Sequence, residues 1–287
     1  MNQLDADIRR FFARRIVRGA ILLALLIAVI AVTVPTVRGH PPRNDGSQFQ
    51  VRVGTGPDGQ PVYAPALSSG DTRIAVGKSL ADTLQGVSIV MIFMSVVLGA
   101  SFVGAEFHLG SLTSQLLYEP RRWRVHASKA TTAALGCALF TAFLCVVIGA
   151  MIFAGSELHG VVRGIDASWW RHRLVQLERA TAASAAAGIM AYAVAVITRR
   201  TSAAIVAFFI MYPIIGIIRS NVPVFGVLSK FAPLRGLLSV AVDPLGRSND
   251  GGDLLTRTTA GGIALTAVWA VVLLAASGAL FARSEVR

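Results

Sequence analysis

The residues best suited to a specific interaction lie in one short segment, from Glu106 to Lys129. Glu106 directly follows the long apolar run 83–105, so a carboxylate lies immediately after the last apolar residue. Gly110 and Ser111 permit a tight bend at the start of the next stretch, and Pro120 ends it. These residue types suit docking to another protein better than they suit bond-making chemistry.

The leucines of this segment favour an amphipathic helix. Four of them recur at helical spacing on one face: Leu109, Leu112, Leu116 and Leu117. Such a helix lies along a membrane surface. Arg122 and Lys129 then supply basic groups where the chain returns to the membrane. By composition alone, the alternative is a plain basic loop between two spans.

Other motifs that could do chemistry fail on spacing. Gly77-Lys78-Ser79 resembles the end of a phosphate-binding loop, but the glycine required five residues earlier is Thr72. The sequence contains no nucleophile elbow, no paired-histidine zinc motif and no carboxylate pair on one helical face. Cys137 and Cys145 share one apolar run and are interpreted as packing residues. We therefore expect no enzyme activity, cofactor or metal in this chain.

The elements that position the segment are predicted from the distribution of charge. The 287 residues are 54% hydrophobic and 15% charged, whereas soluble domains carry about 25% charged residues. Six windows lack Asp, Glu, Lys and Arg: 19–37, 83–105, 130–156, 180–198, 201–218 and 258–282. Each is near the ~20 residues that cross a bilayer as a helix. The sequence predicts an all-α integral membrane protein with six transmembrane helices.

Basic residues predict the orientation of these spans. The side holding 1–18, 106–129, 199–200 and 283–287 has 13 lysines and arginines in 49 residues, and the opposite side has 14 in 107. The denser side is cytoplasmic by the positive-inside rule. Both termini are therefore expected in the cytoplasm, and the amino-acid usage suggests a bacterial cell membrane. The net charge of +12 is interpreted as a topology and lipid-headgroup signal, without a nucleic-acid partner.

Residues 1–18 form a predicted amphipathic interface helix that lies in the headgroup plane. Five basic residues are predicted to anchor the chain at this interface: Arg9, Arg10, Arg14, Arg15 and Lys129. A twin-arginine export signal is the alternative for the Arg9-Arg10-Phe11-Phe12 run. The following apolar run is long and lacks a cleavage site, which favours an uncleaved first span.

Two external segments and one aromatic residue complete the prediction. The external loop 38–82 contains a predicted hairpin, with strands near 48–53 and 62–63. Segment 219–257 predicts short re-entrant or interfacial helices, or a loop on the outer leaflet. The spans lack ionisable residues, which counts against an ion-coupled carrier. Trp269, in the sixth span, is a candidate substrate contact, and ordinary packing is the favoured alternative.

The docking segment resembles a known family. Its residues fit the pattern G-x-E-(x)3-G-[ST]-L-(x)7-P-x-R-(x)6-K at Gly104, Glu106, Gly110, Ser111, Leu112, Pro120, Arg122 and Lys129. This pattern is similar to the segment after the second span of ABC transporter permeases of the type-2 export class. Ser111 stands where the family usually has threonine. The interface helix, six spans and re-entrant helices also resemble the family layout, while the long 38–82 loop leaves the subfamily open.

The resemblance implies that 106–129 is a coupling segment docked on a separate ABC ATP-binding subunit. The residues implied in that coupling are Glu106, Gly110, Ser111, Leu112, Leu116, Pro120 and Arg122. Two copies of the ATPase subunit would hold ATP and Mg, and a second permease chain, identical or paralogous, would complete the pathway. Glu106 would pair with a basic group of the partner or of the N-terminal helix.

The implied function is the permease subunit of an ATP-driven exporter for a hydrophobic or amphipathic compound, such as a drug, antibiotic, peptide or lipid. Two alternatives remain open. The same fold could transmit ATPase motion to an external accessory protein through the 38–82 loop. A secondary carrier or membrane-embedded enzyme is the other alternative.

Overall fold

The computed structural model describes residues 3–38, 50–55, 61–65, 76–109, 121–159, 167–210, 231–241 and 259–283. Helices α1 (Gln3–Ala13) and α2 (Arg15–Arg38) come first. Strands β1 (Gln50–Thr55) and β2 (Pro61–Pro65) follow. The later helices are α3 (Val76–Leu109), α4 (Arg122–His159), α5 (Ala167–Thr198), α6 (Thr201–Ile210), α7 (Pro233–Ala241) and α8 (Thr259–Arg283).

Four helices in the described ranges contain a stretch long and apolar enough to cross a bilayer. These stretches are Thr83–Phe107, Arg122–Ala154, Trp169–Thr198 and Thr259–Arg283, and they overlap the second, third, fourth and sixth predicted windows. Helix α2 covers window 19–37, and window 201–218 is described only as far as residue 210. The chain is thus a helical membrane protein, and the count of six spans stays a prediction.

The centre of the bundle is a close contact between α3 and α5. A Cβ atom placed on Gly99 would overlap the carbonyl oxygen of Gly188, so the two backbones meet directly. A Cβ on Gly188 would in turn lie 2.6 Å from the sulfur of Cys137 in α4. Small residues let membrane helices approach this closely, because the packing contacts of the backbones replace contacts with lipid.

The N-terminal helix is docked onto the bundle. Helix α1 ends at Ala13, and α2 begins at Arg15, so the predicted helix 1–18 is divided at Arg14. Phe11 of α1 is fully buried, and its ring lies 5.5 Å from that of Phe102 in α3. A Cβ on Gly136 of α4 would overlap this ring, at 2.6 Å from Phe11. The apolar face of α1 therefore packs against protein.

Three further elements lie in the predicted external segments. Strands β1 and β2 form an antiparallel pair, with Gln50 opposite Pro65 and an irregularity between Arg52 and Gly54. Helix α7 lies within 219–257, and eight of its nine residues are buried. It is too short to cross a bilayer, which takes ~20 residues. It packs closely on α8, because a Cβ on Gly236 would lie 2.7 Å from the Thr266 hydroxyl.

Candidate functional site

A buried ion cluster lies between the end of α3 and the start of α4, the two described ends of the predicted coupling segment. Glu106, near the end of α3, is 5% exposed, and Lys129, in the second turn of α4, is fully buried. The Lys129 Nζ lies 2.5 Å from Glu106 Oε2. The other carboxylate oxygen, Oε1, lies 3.3 Å from Nη2 of Arg14. One carboxylate thus joins three parts of the chain: the end of α3, the start of α4 and the break between α1 and α2.

Arg14 is held on three sides at this break. Its Nη1 donates a hydrogen bond of 2.8 Å to the Ser101 carbonyl, while Nη2 donates to Glu106. Its guanidinium lies over the Phe102 ring, 4.8 Å from the centroid. Desolvation lowers the pKa of Arg14, and the nearby Glu106 carboxylate opposes that shift. A guanidinium stays charged at physiological pH even so, which keeps the ion pair intact.

A second buried acid ties α1 to α4. Asp7 is 1% exposed and accepts a hydrogen bond of 2.8 Å from the Ser128 hydroxyl. Its other oxygen lies 3.6 Å from Arg10, whose side chain is 56% exposed. The polar contact at Asp7 and the apolar contact at Phe11, four residues later, lie on the same face of α1. Together they fix the helix against α4.

A histidine next to the ion cluster connects three helices. His126 in α4 has Nδ1 3.1 Å from the Tyr192 hydroxyl in α5 and Nε2 3.3 Å from the Ser277 hydroxyl in α8. The Tyr192 hydroxyl also donates to the His126 carbonyl, at 3.3 Å. Tyr192 and Ser277 are fully buried. These hydrogen bonds satisfy the polar groups of a ring that is cut off from water and join α4, α5 and α8 at the same end of the bundle.

A small cavity of about 270 Å³ opens at this end, between the last turns of α3, α5 and α8. Arg199 and Arg283 line it together with Phe107 and Leu280. Arg199 has a φ of 55°, in the left-handed region that non-glycine residues rarely adopt. It joins α5 to α6, so the sharp turn between these helices places a basic residue beside the coupling segment.

The predicted coupling residues divide into described and undescribed ones. Glu106 and Arg122 are described, and Arg122 opens α4 with a half-buried side chain. The others lie outside the described residues: Gly110, Ser111, Leu112, Leu116 and Pro120. The structure therefore describes both ends of the coupling segment.

The predicted membrane anchors fall into two groups. Arg9, Arg10 and Arg15 are exposed. Arg14 and Lys129 instead point into the protein and contact Glu106. Lys129 cannot reach a headgroup from there, because its side chain is only 1% exposed.

Trp269 links two elements of the bundle. Its indole nitrogen donates a hydrogen bond of 2.7 Å to the Phe231 carbonyl, just before α7. The side chain is partly buried against the core. Trp269 thus tethers α8 to the chain leading into α7, a structural contact that accounts for its position.

Sequence reasoning missed four members of this site: Asp7, His126, Tyr192 and Ser277. Only Asp7 could have been identified from the sequence, because it places an acid on the apolar face of a helix whose other face is basic. The remaining three depend on contacts between helices far apart in sequence. The described residues contain no group of three metal-binding side chains.

Comparison of the chain with models of known protein families finds no match, and comparison with curated proteins finds none either.

Proposed function

We propose that this chain is the membrane subunit of an ATP-driven exporter of the ABC type-2 class. A separate ATP-binding subunit, in two copies, binds ATP and Mg and hydrolyses ATP, and a second permease chain completes the pathway. The complex lies in a bacterial cell membrane, with both termini of this chain in the cytoplasm. The cargo is a hydrophobic or amphipathic compound, because the four candidate spans are strongly apolar.

The observation that supports this proposal is the three-way contact of Glu106. Residues 110–120 lie between the end of α3 and the start of α4, and the Glu106–Lys129 contact clamps those two ends together. A force on the segment between them acts on both helices at once. Arg14 extends the clamp to the α1–α2 junction. A docked ATPase could then move these helices as one rigid body.

Docking is tested with variants in the segment itself. Gly110→Pro and Leu116→Glu, each co-expressed with a candidate ABC ATP-binding subunit, are expected to abolish ATP-dependent transport into inside-out vesicles. The amount of chain inserted in the membrane should not change. Arg124→Ala is the matched control, because Arg124 is exposed in the same 106–129 segment but is not part of the motif.

Two results would contradict the proposal. One is full ATP-dependent transport by both variants. The other is substrate uptake by vesicles that contain this chain and no ATP-binding subunit, which would indicate a secondary carrier. Glu106 itself is a poor test position, because charge reversal there would bury three cations together.

The β1–β2 pair favours one second candidate. A folded hairpin within the predicted external loop offers a surface for an accessory protein outside the membrane. In that case the chain transmits ATPase motion to the accessory protein. Deletion of residues 50–65 would then abolish stimulation of the ATPase by an external protein and leave stimulation by cargo intact.

A further inference from the structure

A second cavity lies at the opposite end of the bundle from the ion cluster. Its volume is about 500 Å³, and α3, α4 and α5 line it with residues that include Leu84, Phe153 and Leu177. Leu84 precedes Glu106 by 22 residues in α3, a distance of roughly 33 Å along a helix. The volume falls in the range of roughly 300–1,000 Å³ that is typical of ligand pockets.

The cavity opens on the outer face of the bundle. Three apolar side chains that line it are also among the most exposed ones: Val146 (58%), Trp170 (49%) and Leu174 (61%). In a membrane, side chains of this kind on transmembrane helices face hydrocarbon. A molecule can therefore reach the cavity sideways from the bilayer.

Among the described residues that line the cavity, Arg173 is the one that carries a charge. Its Nη1 donates to Oε1 of Gln176, at 2.5 Å, and its guanidinium lies 5.9 Å from the centre of the Trp169 ring. Its Nε is buried and makes no hydrogen bond. None of the described carboxylates contacts Arg173. Such a cation is costly to leave unpaired next to an apolar cavity.

We propose that this cavity binds one acyl chain of an anionic phospholipid, with the lipid phosphate on Arg173. The apolar walls suit the chain, and the planar guanidinium suits a phosphate in bidentate geometry. Arg173 lies four residues into the candidate span that starts at Trp169, or roughly 6 Å along the helix. This depth is close to the headgroup layer, within reach of a long arginine side chain that extends toward a lipid phosphate.

The occupant is a bilayer lipid, because the opening faces hydrocarbon and the only charged side chain among the described lining residues is a cation. A free anion would use Arg173 alone and leave the apolar walls empty. Binding needs no ATPase partner, so this site and the exporter proposal stand or fall separately.

The test uses the purified full-length chain in phosphatidylcholine nanodiscs. Phosphatidylglycerol with brominated acyl chains is added at low mole fraction, and quenching of tryptophan fluorescence is recorded. Trp170 lines the cavity, so a bound brominated chain quenches it, and Trp170→Phe should remove most of the signal. We expect saturable quenching at a mole fraction about tenfold lower than with brominated phosphatidylcholine, as one charge-assisted contact provides.

Two variants test the contributions of the Arg173 charge and of the apolar cavity to lipid binding separately. Arg173→Gln should abolish the preference for the anionic lipid, while Arg171→Gln, at an exposed neighbour, should retain it. Ala150→Phe places a large side chain at an exposed position that lines the cavity, and it should remove the saturable quenching of either lipid. The thermal midpoint of each variant verifies that it is folded.

Five results would overturn the proposal. Equal quenching by both lipids would show no anion selectivity. An equal loss in Arg171→Gln would show general surface charge, and unchanged quenching in Ala150→Phe would place the chain elsewhere. Displacement of the lipid by millimolar inorganic phosphate would show a free-anion site. A change from dimer to monomer in Ala150→Phe would identify a second copy as the occupant.

Discussion

The charges around Glu106 persist inside a membrane protein because each has a partner. Lys129 is fully buried and has its charged contact with Glu106. Glu106 has two cations, Lys129 and the partly exposed Arg14. Removal of one member of a buried pair leaves an uncompensated charge, at a cost of about 3–5 kcal/mol. The cost therefore depends on which member is removed.

This asymmetry predicts an order of stability. Glu106→Gln leaves Lys129 buried without a carboxylate and should lower the free energy of unfolding by about 3–5 kcal/mol. Lys129→Met should cost less, because Glu106 keeps Arg14. The double variant should recover much of the loss, since no buried charge remains unpaired. Unfolding by sodium dodecyl sulfate in mixed micelles measures all three.

Arg9→Ala serves as the control, because the Arg9–Asp5 pair is exposed on both sides and exposed pairs contribute little. A loss in Lys129→Met as large as that in Glu106→Gln would contradict the assigned roles. So would a double variant less stable than either single one.

For the individual residues of the ion cluster, the sequence identifies which ones matter but not which of them contact each other. The pattern singles out Glu106 and Lys129, yet it assigns Lys129 to the membrane surface. Lys129 is instead inside the protein because Glu106 offers it a carboxylate there. Arg14 and Glu106 are 92 residues apart, and no local periodicity reports a contact over that distance. Only the packing of α1, α3 and α4 brings these charges together.

Among the elements, α3 and α5 meet in direct contact of their backbones. The backbones meet at Gly99 and Gly188 without room for a Cβ. Near this point the α5 side chains are small and buried, as at Ala187 and Ala191. Membrane helices lack a hydrophobic driving force between them, so their association depends on such close packing.

Two glycines of α3 should therefore respond in opposite ways to the same change. Gly99→Ala forces α3 and α5 apart and should destabilise the chain by about 1–3 kcal/mol. Gly86→Ala should be neutral or stabilising by up to ~1 kcal/mol, because a Cβ there meets nothing within 4 Å and alanine favours the helix. Thermal unfolding of the purified variants measures both changes. Equal midpoints for the two variants would argue against the close contact.

Windows free of charge locate helices well but misplace their ends. The fourth window starts at residue 180, whereas α5 starts at Ala167 and includes Arg171, Arg173 and Glu178. The third window starts at residue 130, whereas α4 starts at Arg122. A charged residue ends a window by definition, yet a helix continues through it when the charge is paired or exposed. The division of residues 1–18 at Arg14 also depends on tertiary contacts, at Ser101 and Glu106.

In the whole molecule, the two ends of the bundle differ in chemistry. One end carries the ion cluster, the His126 hydrogen bonds and the docked helix α1. The other end carries the apolar cavity with Arg173. The coupling segment belongs to the first end, so the orientation of the chain decides whether that segment can meet a cytoplasmic ATPase.

The predicted orientation can be tested by cysteine labelling in intact cells. Ser47→Cys, in the 38–82 loop, should react with a membrane-impermeant maleimide added outside. Asn2→Cys should react only after the cells are permeabilised. The native Cys137 and Cys145 are buried and should contribute no background. Labelling of Asn2→Cys in intact cells would reverse the topology and remove the coupling segment from the cytoplasm.

The burial of Lys129 also has a consequence for the insertion of the chain into the membrane. Lys129 is one of the basic residues whose count predicts the orientation, yet in the folded chain its charge is neutralised by Glu106 and hidden from both aqueous phases. The positive-inside rule concerns loops during insertion, so Lys129 can influence orientation only before α3 and α4 come together. We therefore expect one lysine to act at two stages: first to bias the orientation of the inserting chain, and later to hold α3 and α4 together through Glu106.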